Sequence, residues 1–428
     1  MLFSLLLPAC TVTIPSGPPD HSGDVGGGTD TDSTEEIPGD TAEDTGGGDT
    51  GGDTGPDDDD VWRAFYDIRA VQEIEIELTD EAMDELNSAS SAGESEYVEG
   101  NVLINGDRFD QVGVRLKGSS TYETFEYCGW HAAPCKPSFK IKLDEFVLDQ
   151  KLGDMERLTF NNMTYDVTQA KETIDYRAWE EGGMTVPKTN YAHITVNGDD
   201  FGLYTNIETM DDEWIKHRYG DATGDLWGTA SSGGDFGDTG MRNGWQGWVL
   251  KSGEGDKTRL TAVKRALDGF DGDFFGELDA TIDTVQFLDF WAWNIAVGNQ
   301  DGYPYHANDV FIYADPDDGG RFDFSPWGMD EAWDETLVWN AAYCRLASAC
   351  SADSACVGEL RTRTEIALSA YEAMDVLAFA QESFDVSQDY MLEDPRRPYS
   401  VSDVEAYRAY LMSQIEAWPA RMRAQMGM

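Results

Sequence analysis

The sequence predicts an α+β protein, with a sheet-rich first half and a helix-rich second half. Three observations support this. Apolar residues alternate with polar ones in several early segments, and Asn-Gly pairs twice separate two such segments. Helical periodicity dominates after about residue 257. A 40% hydrophobic and 12% aromatic content over 428 residues is enough for a large core in one or two domains.

In chain order, Ile74, Ile76 and Leu78 alternate with Glu73, Glu75 and Glu77, the pattern of a half-buried strand. Thr79 then caps a helix from Asp80 to about Ser88, where Asp80 and Glu81 suit the positive helix end. Residues Tyr97 to Ile104 and Phe109 to Leu116 form a hairpin around Asn105-Gly106. From Lys136 to Leu143 the cationic and hydroxyl side chains share one strand face and Phe139, Ile141 and Leu143 the other. A helix is expected from about Thr168 to Gly182, then a second hairpin, Tyr191 to Val196 and Leu203 to Glu208, around Asn197-Gly198. The Gly-, Asp- and Trp-rich residues 221–256 read as a long loop or insertion. Helices follow near Leu260 to Leu267, Val285 to Val297, Glu359 to Met374 and Val401 to Ala417.

The 30 basic and 82 acidic residues give a net charge of −52, which repels nucleic acid and argues against it as a partner. Residues 1–10 read as a lipoprotein signal: a short apolar run ends in Leu7-Pro8-Ala9-Cys10, making Cys10 the expected lipidation site. The run is too short to span a bilayer, so membrane attachment would be through lipid alone. Residues 11–60 contain no Lys or Arg and little that is large and apolar, and they read as a disordered acidic Gly/Asp/Thr linker. The folded domain is expected over 61–428, sheet-rich over about 61–210 and helix-rich over about 211–428. The chain is thus expected to be exported and anchored to a bacterial membrane, at the cell surface or in the periplasm. In such a compartment Cys128 and Cys135 would close a short loop, and two of Cys344, Cys350 and Cys356 another.

Lys136, Lys140 and Lys142, with Arg115 and Lys117 on the preceding strand, concentrate positive charge in an otherwise acidic chain and form the candidate anion site. The second half supplies the opposite chemistry: Asn299-Gln300-Asp301, then His306 and Asn308, a strand, and Pro326-Trp327-Gly328-Met329-Asp330. Cations that hold phosphates, facing oxygen ligands for a metal, are what phosphoryl transfer requires.

These blocks, together with Arg115-Leu116-Lys117-Gly118-Ser119-Ser120, Val196-Asn197-Gly198, Gly202-Leu203-Tyr204 and Glu208, resemble the spore-coat protein H (CotH) kinase family in residues and in order, over roughly 70–335. The resemblance implies a divergent protein-kinase-like bilobal fold, ATP and Mg2+ as cofactors, and phosphorylation of Ser or Thr on surface or coat proteins. By similarity Asp301 is the catalytic carboxylate, and Asn308 and Asp330 are metal ligands. Arg115, Lys117, and Lys140 or Lys142 would contact phosphates. Glu172 would pair with one of the two strand lysines, and Glu208 would lie near the base or ribose. Gly328 stands where many relatives carry Asp, and Lys171 where Arg is common. A catalytically silent surface lipoprotein, acting as a binding or structural component, is the alternative reading.

The lipid anchor gives the first prediction. Cys10→Ser should abolish lipidation and move the protein from the membrane fraction to the soluble one; unchanged membrane retention would reject this assignment.

Overall fold

The computed structural model describes residues 57–88, 96–118, 136–230, 233–236 and 247–428. Cys10, Cys128 and Cys135 lie outside the described residues. The four-Asp run read as the end of the linker begins a helix, α1 (Asp58–Phe65): Asp57 caps it, and Asp58, Asp59 and Asp60 occupy its first turn.

Seven strands then close a barrel: β1 (Val71–Leu78), β2 (Val98–Ile104), β3 (Asp107–Lys117), β4 (Ser138–Lys142), β5 (Arg157–Asn161), β6 (Thr189–Val196) and β7 (Asp199–Glu208). Their order is β1-β2-β3-β4-β5-β7-β6, and a parallel pairing of β1 with β6 closes the ring. Helix α2 (Asp80–Ser88) follows β1, with the Thr79 hydroxyl accepting from Ala82 N at 3.1 Å. Both Asn-Gly turns lie where the sequence puts them, with Asn105 and Asn197 in the left-handed region.

Strand alternation sorts the barrel's two faces. Val114, Ile141 and Leu158 are in register across β3, β4 and β5 and are fully buried in the barrel core. The alternate positions, Arg115 opposite Lys140 opposite Thr159 and Lys142 opposite Arg157, therefore form an outward row. Helix α3 (Lys171–Glu181) and helix α4 (Asp212–Tyr219) flank β6 and β7 in sequence.

A second sheet has the order β11-β10-β8-β9, from β8 (Leu226–Thr229), β9 (Trp248–Ser252), β10 (Val310–Asp315) and β11 (Arg321–Pro326). Residues 221–256 therefore contain two strands where the sequence reading expected a loop. The strands hold because Trp227 and Trp248 are buried, the latter stacked on Phe236 at 5.2 Å. Short helices α5 (Thr258–Asp268) and α6 (Phe274–Leu278) lead into α7 (Thr284–Val297), which is apolar nearly all round and buried. Phe287 and Phe290 of α7 pack on Phe324 of β11 at 5.0 and 5.8 Å. The chain continues through α8 (Tyr303–His306), then α9 (Arg345–Ala352), α10 (Ser354–Ala373), α11 (Val376–Glu393) and α12 (Val401–Met426). Of the three late cysteines, Cys350 and Cys356 form a disulfide joining α9 to α10, and Cys344 is a buried free thiol.

One buried ion pair ties the barrel to the C-terminal helices. Lys136 Nζ lies 2.8 Å from Asp394 Oδ2, with side chains 1% and 0% exposed. Asp394 also accepts from Leu203 N at 3.1 Å and Arg396 N at 2.7 Å. Lys136 is thus a structural clasp rather than part of the outward row. Removing one partner of such a pair strands the other charge, so Lys136→Met should destabilise the protein by about 3–5 kcal/mol in urea unfolding. A change below about 1 kcal/mol would contradict the clasp.

Candidate active site

The acidic segment is aimed by its helix ends and turns. Helix α7 stops at Gly298 (φ 71°), and the Trp418 ring lies 2.4 Å from where a Cβ would be, so no other residue fits this reversal. Asn299 and Asp301 follow directly. After α8, Ala307 (φ 54°) and Asp309 (φ 47°) are both left-handed, which turns consecutive side chains inward before β10 begins. Trp327 N donates to Asp309 O at 3.1 Å, placing the end of β11 beside this turn. Gly328 and a 3-10 turn, Met329–Glu331, complete the wall.

Helix α3 supplies the facing wall. Asp166 caps its start by accepting from Ala170 N at 2.7 Å and Lys171 N at 2.8 Å. That orientation buries Glu172 in the first turn against the 3-10 turn. Asn161 of β5 donates to Glu172 Oε1 at 2.9 Å, and Lys117 of β3 donates to Asn161 Oδ1. Lys117 Nζ also lies 5.6 Å from the Trp327 ring centre. One chain of contacts thus runs from the barrel's outward face to the acidic wall.

The acids perturb one another. Burial and the neighbouring Asp330 charge push the Glu172 carboxyl up to about 8, against the opposing pull of Lys117. Burial raises Asp330, with Asp166 and Asp301 adding to it. Asp309 is raised well above the carboxylate range by burial and by the Asp301 and Asp330 charges. Glu331, more exposed, is pushed up to about 7 by partial desolvation and by the Asp301 and Asp330 charges. Asp301 alone among these moves down: burial opposes its charge, but hydrogen bonds with His306, Asp309 and Asn308 outweigh it. The His306 Nδ1 to Asp301 Oδ1 distance is 3.0 Å. Asp301 is thus the carboxylate whose neighbours favour its charged form, while burial and mutual repulsion oppose the charged form of the others.

The structure brings together Asp301, Asn308, Asp330, Glu172 and Lys117 of the residues singled out from sequence. Arg115 and Lys140 continue the outward row below Lys117, and Lys142 belongs to the same row but pairs with Glu145 at 2.8 Å. The lysine linked to Glu172 is Lys117, through Asn161, and not either β4 lysine. Glu208 lies elsewhere: it faces Leu158, three residues down β5 from Asn161, roughly 10 Å along the strand. There it accepts from Trp62 Nε1 at 2.9 Å, Lys188 N at 2.8 Å and the Arg218 guanidinium. Its lone pairs are committed to these groups, and no ribose contact is needed to account for its burial.

Sequence reasoning missed Asp309, Glu331, Asn161 and the partner role of His306. Asp309 lies against Gly328. A Cβ at Gly328 (φ 61°) would sit 2.5 Å from the Asp309 carboxylate. Asp309 therefore occupies the space that a side chain at 328 would fill. Asp301, Asn308, Asp309, Asp330 and Glu331 offer only hard oxygen donors, the set that suits Mg2+ rather than zinc.

The family model for CotH kinase protein matches residues 114–362, more than half of the 428. The chain belongs to the CotH kinase protein family. No curated protein matches it in sequence. The matched span runs from β3 into α10 and so contains Lys117, Asn161, Glu172 and the whole acidic wall, while β1, β2, α11 and α12 lie outside it.

Gly328→Ala should displace the Asp309 carboxylate while leaving the fold intact. Calorimetric titration of this CotH-family protein with Mg2+ should show at least about tenfold weaker binding in the variant. Equal binding in both proteins would show that Asp309 is not a ligand.

Proposed function

We propose that the protein is a Mg2+- and ATP-dependent kinase that phosphorylates Ser or Thr hydroxyls of cell-surface or coat proteins. In this reading the barrel and the helical part act as the two lobes of a divergent kinase-like fold. The observation that carries it is the acidic wall of Asp301, Asp309 and Asp330 joined to the cationic outward row through Lys117, Asn161 and Glu172. The lipid anchor at Cys10 would hold the enzyme at the membrane, with its substrates in reach of a flexible tether.

Each residue has a distinct task. Lys117, Arg115 and Lys140 supply positive charge for phosphate oxygens, and the Asn161 bridge keeps Lys117 oriented. Asp330, Asp309 and Asn308 would hold the metal, which would supply positive charge to offset that of the phosphates. Asp301, held ionised by His306 and Asn308, orients the acceptor hydroxyl and takes its proton.

A silent scaffold is the second reading, favoured by glycine at 328 and lysine at 171. The position of Asp309 weakens it, because the carboxylate missing at 328 is supplied from the turn before β10. Two substitutions separate the tasks. Asp330→Asn should weaken Mg2+-dependent nucleotide binding, since an amide is a poorer ligand for a hard cation. Asp301→Asn should leave ATP affinity nearly unchanged and lower phosphotransfer by roughly 10²- to 10⁴-fold. Calorimetry and a labelled-ATP transfer assay read both outcomes. Intact phosphotransfer in both variants, or no nucleotide binding by the wild type, would favour the scaffold.

A further inference from the structure

We propose a second cation site, separate from the acidic wall, in which Asp211, Asp212 and Glu213 bind a hard divalent ion of calcium's size where β7 hands the chain to α4. One carboxylate oxygen from each of the three residues lies within 4.8 Å of the others. Ca2+ accepts irregular sets of six to eight oxygen ligands, whereas Mg2+ demands a near-ideal octahedron, so carboxylates from three consecutive residues suit the larger ion better.

The start of α4 does not by itself explain the cluster. Asp211 is the N-cap and accepts from Trp214 N at 3.4 Å, and Asp212 and Glu213 suit the first turn. A solvated acid would serve that purpose, yet Asp211 and Glu213 are only 5% and 7% exposed. A second observation points to a missing ligand. Asp211 and Glu213 line a small cavity of about 10 Å³, room for about one water-sized sphere, together with Tyr66, Asp154 and Trp214. Among these lining residues, Tyr66 Oη, Asp154 Oδ1 and Glu213 Oε2 are buried and have no hydrogen-bond partner. Tyr66 is only 5% exposed, and the Glu208, Asp211 and Asp154 charges all act on its hydroxyl. Three orphaned oxygens around one cavity call for an ion or water that satisfies them.

The cations already present leave this demand unmet. Arg157 Nη1 lies 3.4, 3.6 and 3.9 Å from Asp211, Asp212 and Glu213, beyond the 2.7–2.9 Å of a charge-assisted hydrogen bond. Lys216 reaches Asp212 at 3.5 Å and Glu213 at 3.7 Å from a side chain that is half-exposed. His217 Nε2 is engaged by Asp154 Oδ2 at 2.6 Å, so oxygen donors dominate and zinc is disfavoured.

The test is thermal unfolding of the full chain with Ca2+ alone, against Mg2+ at equal concentration, which controls for screening of the large net charge. Calcium at one hundred times its dissociation constant should raise Tm by roughly 3 °C, and magnesium should do less. Glu213→Gln should lose the calcium-specific rise, since a neutral amide is a poorer ligand for a hard cation. Asp212→Asn, at the more exposed edge, should weaken calcium binding about tenfold and guards against a misfolded first variant. Asp330→Asn should keep the full calcium response, which separates this site from the acidic wall. Tb3+ luminescence sensitised by nearby Trp214 should disappear in Glu213→Gln. An equal response to both ions, or an unchanged calcium response in Glu213→Gln and Asp212→Asn, would overturn the proposal.

Discussion

Glu172 faces Asp301, Asp309, Asp330 and Glu331 across one site, and the nearness of these carboxyl groups raises the cost of ionising all but Asp301. The fold holds them there regardless. Apolar α7 fixes the first acids, the β10–β11 hairpin fixes the 3-10 turn, and α3 brings Glu172 across. On the proposed function, that electrostatic repulsion would favour a metal with its phosphates, and membership of the CotH kinase family gives the proposal a chemical context.

The barrel contributes the balancing charge by simple geometry. Val114, Ile141 and Leu158 must face inward to fill it, so their strand neighbours Arg115, Lys140 and Arg157 must face outward. A one-residue slip in β4 would bury the lysines and expose Phe139 and Ile141. The same hydrophobic requirement that closes the barrel thus lines up the cationic row. Asn161 then links the two sides, holding Lys117 near Glu172.

Much of this was legible in the sequence because it rests on local rules. The two Asn-Gly hairpins, the alternation in β1 and β4, and helix α7 follow from turn chemistry and periodicity. Asp301 and Asp330 were legible through ordered family blocks. Asp309 was not, since its role depends on two left-handed residues and on the space beside Gly328, neither of which has a sequence pattern. Lys117 was one of several cations until register placed it opposite Ser138 and against Asn161. Strands β8 and β9 were hidden because their Gly- and Asp-rich surroundings mimic a loop, and buried tryptophans override that composition.

The most direct measurement is a crystal structure of the protein with Mg2+ and a non-hydrolysable ATP analogue. The account predicts metal density between Asp330, Asp309 and Asn308, with the phosphates reaching Lys117 and the outward row. Nucleotide bound away from that row, or a metal held without Asp309 and Asp330, would contradict it.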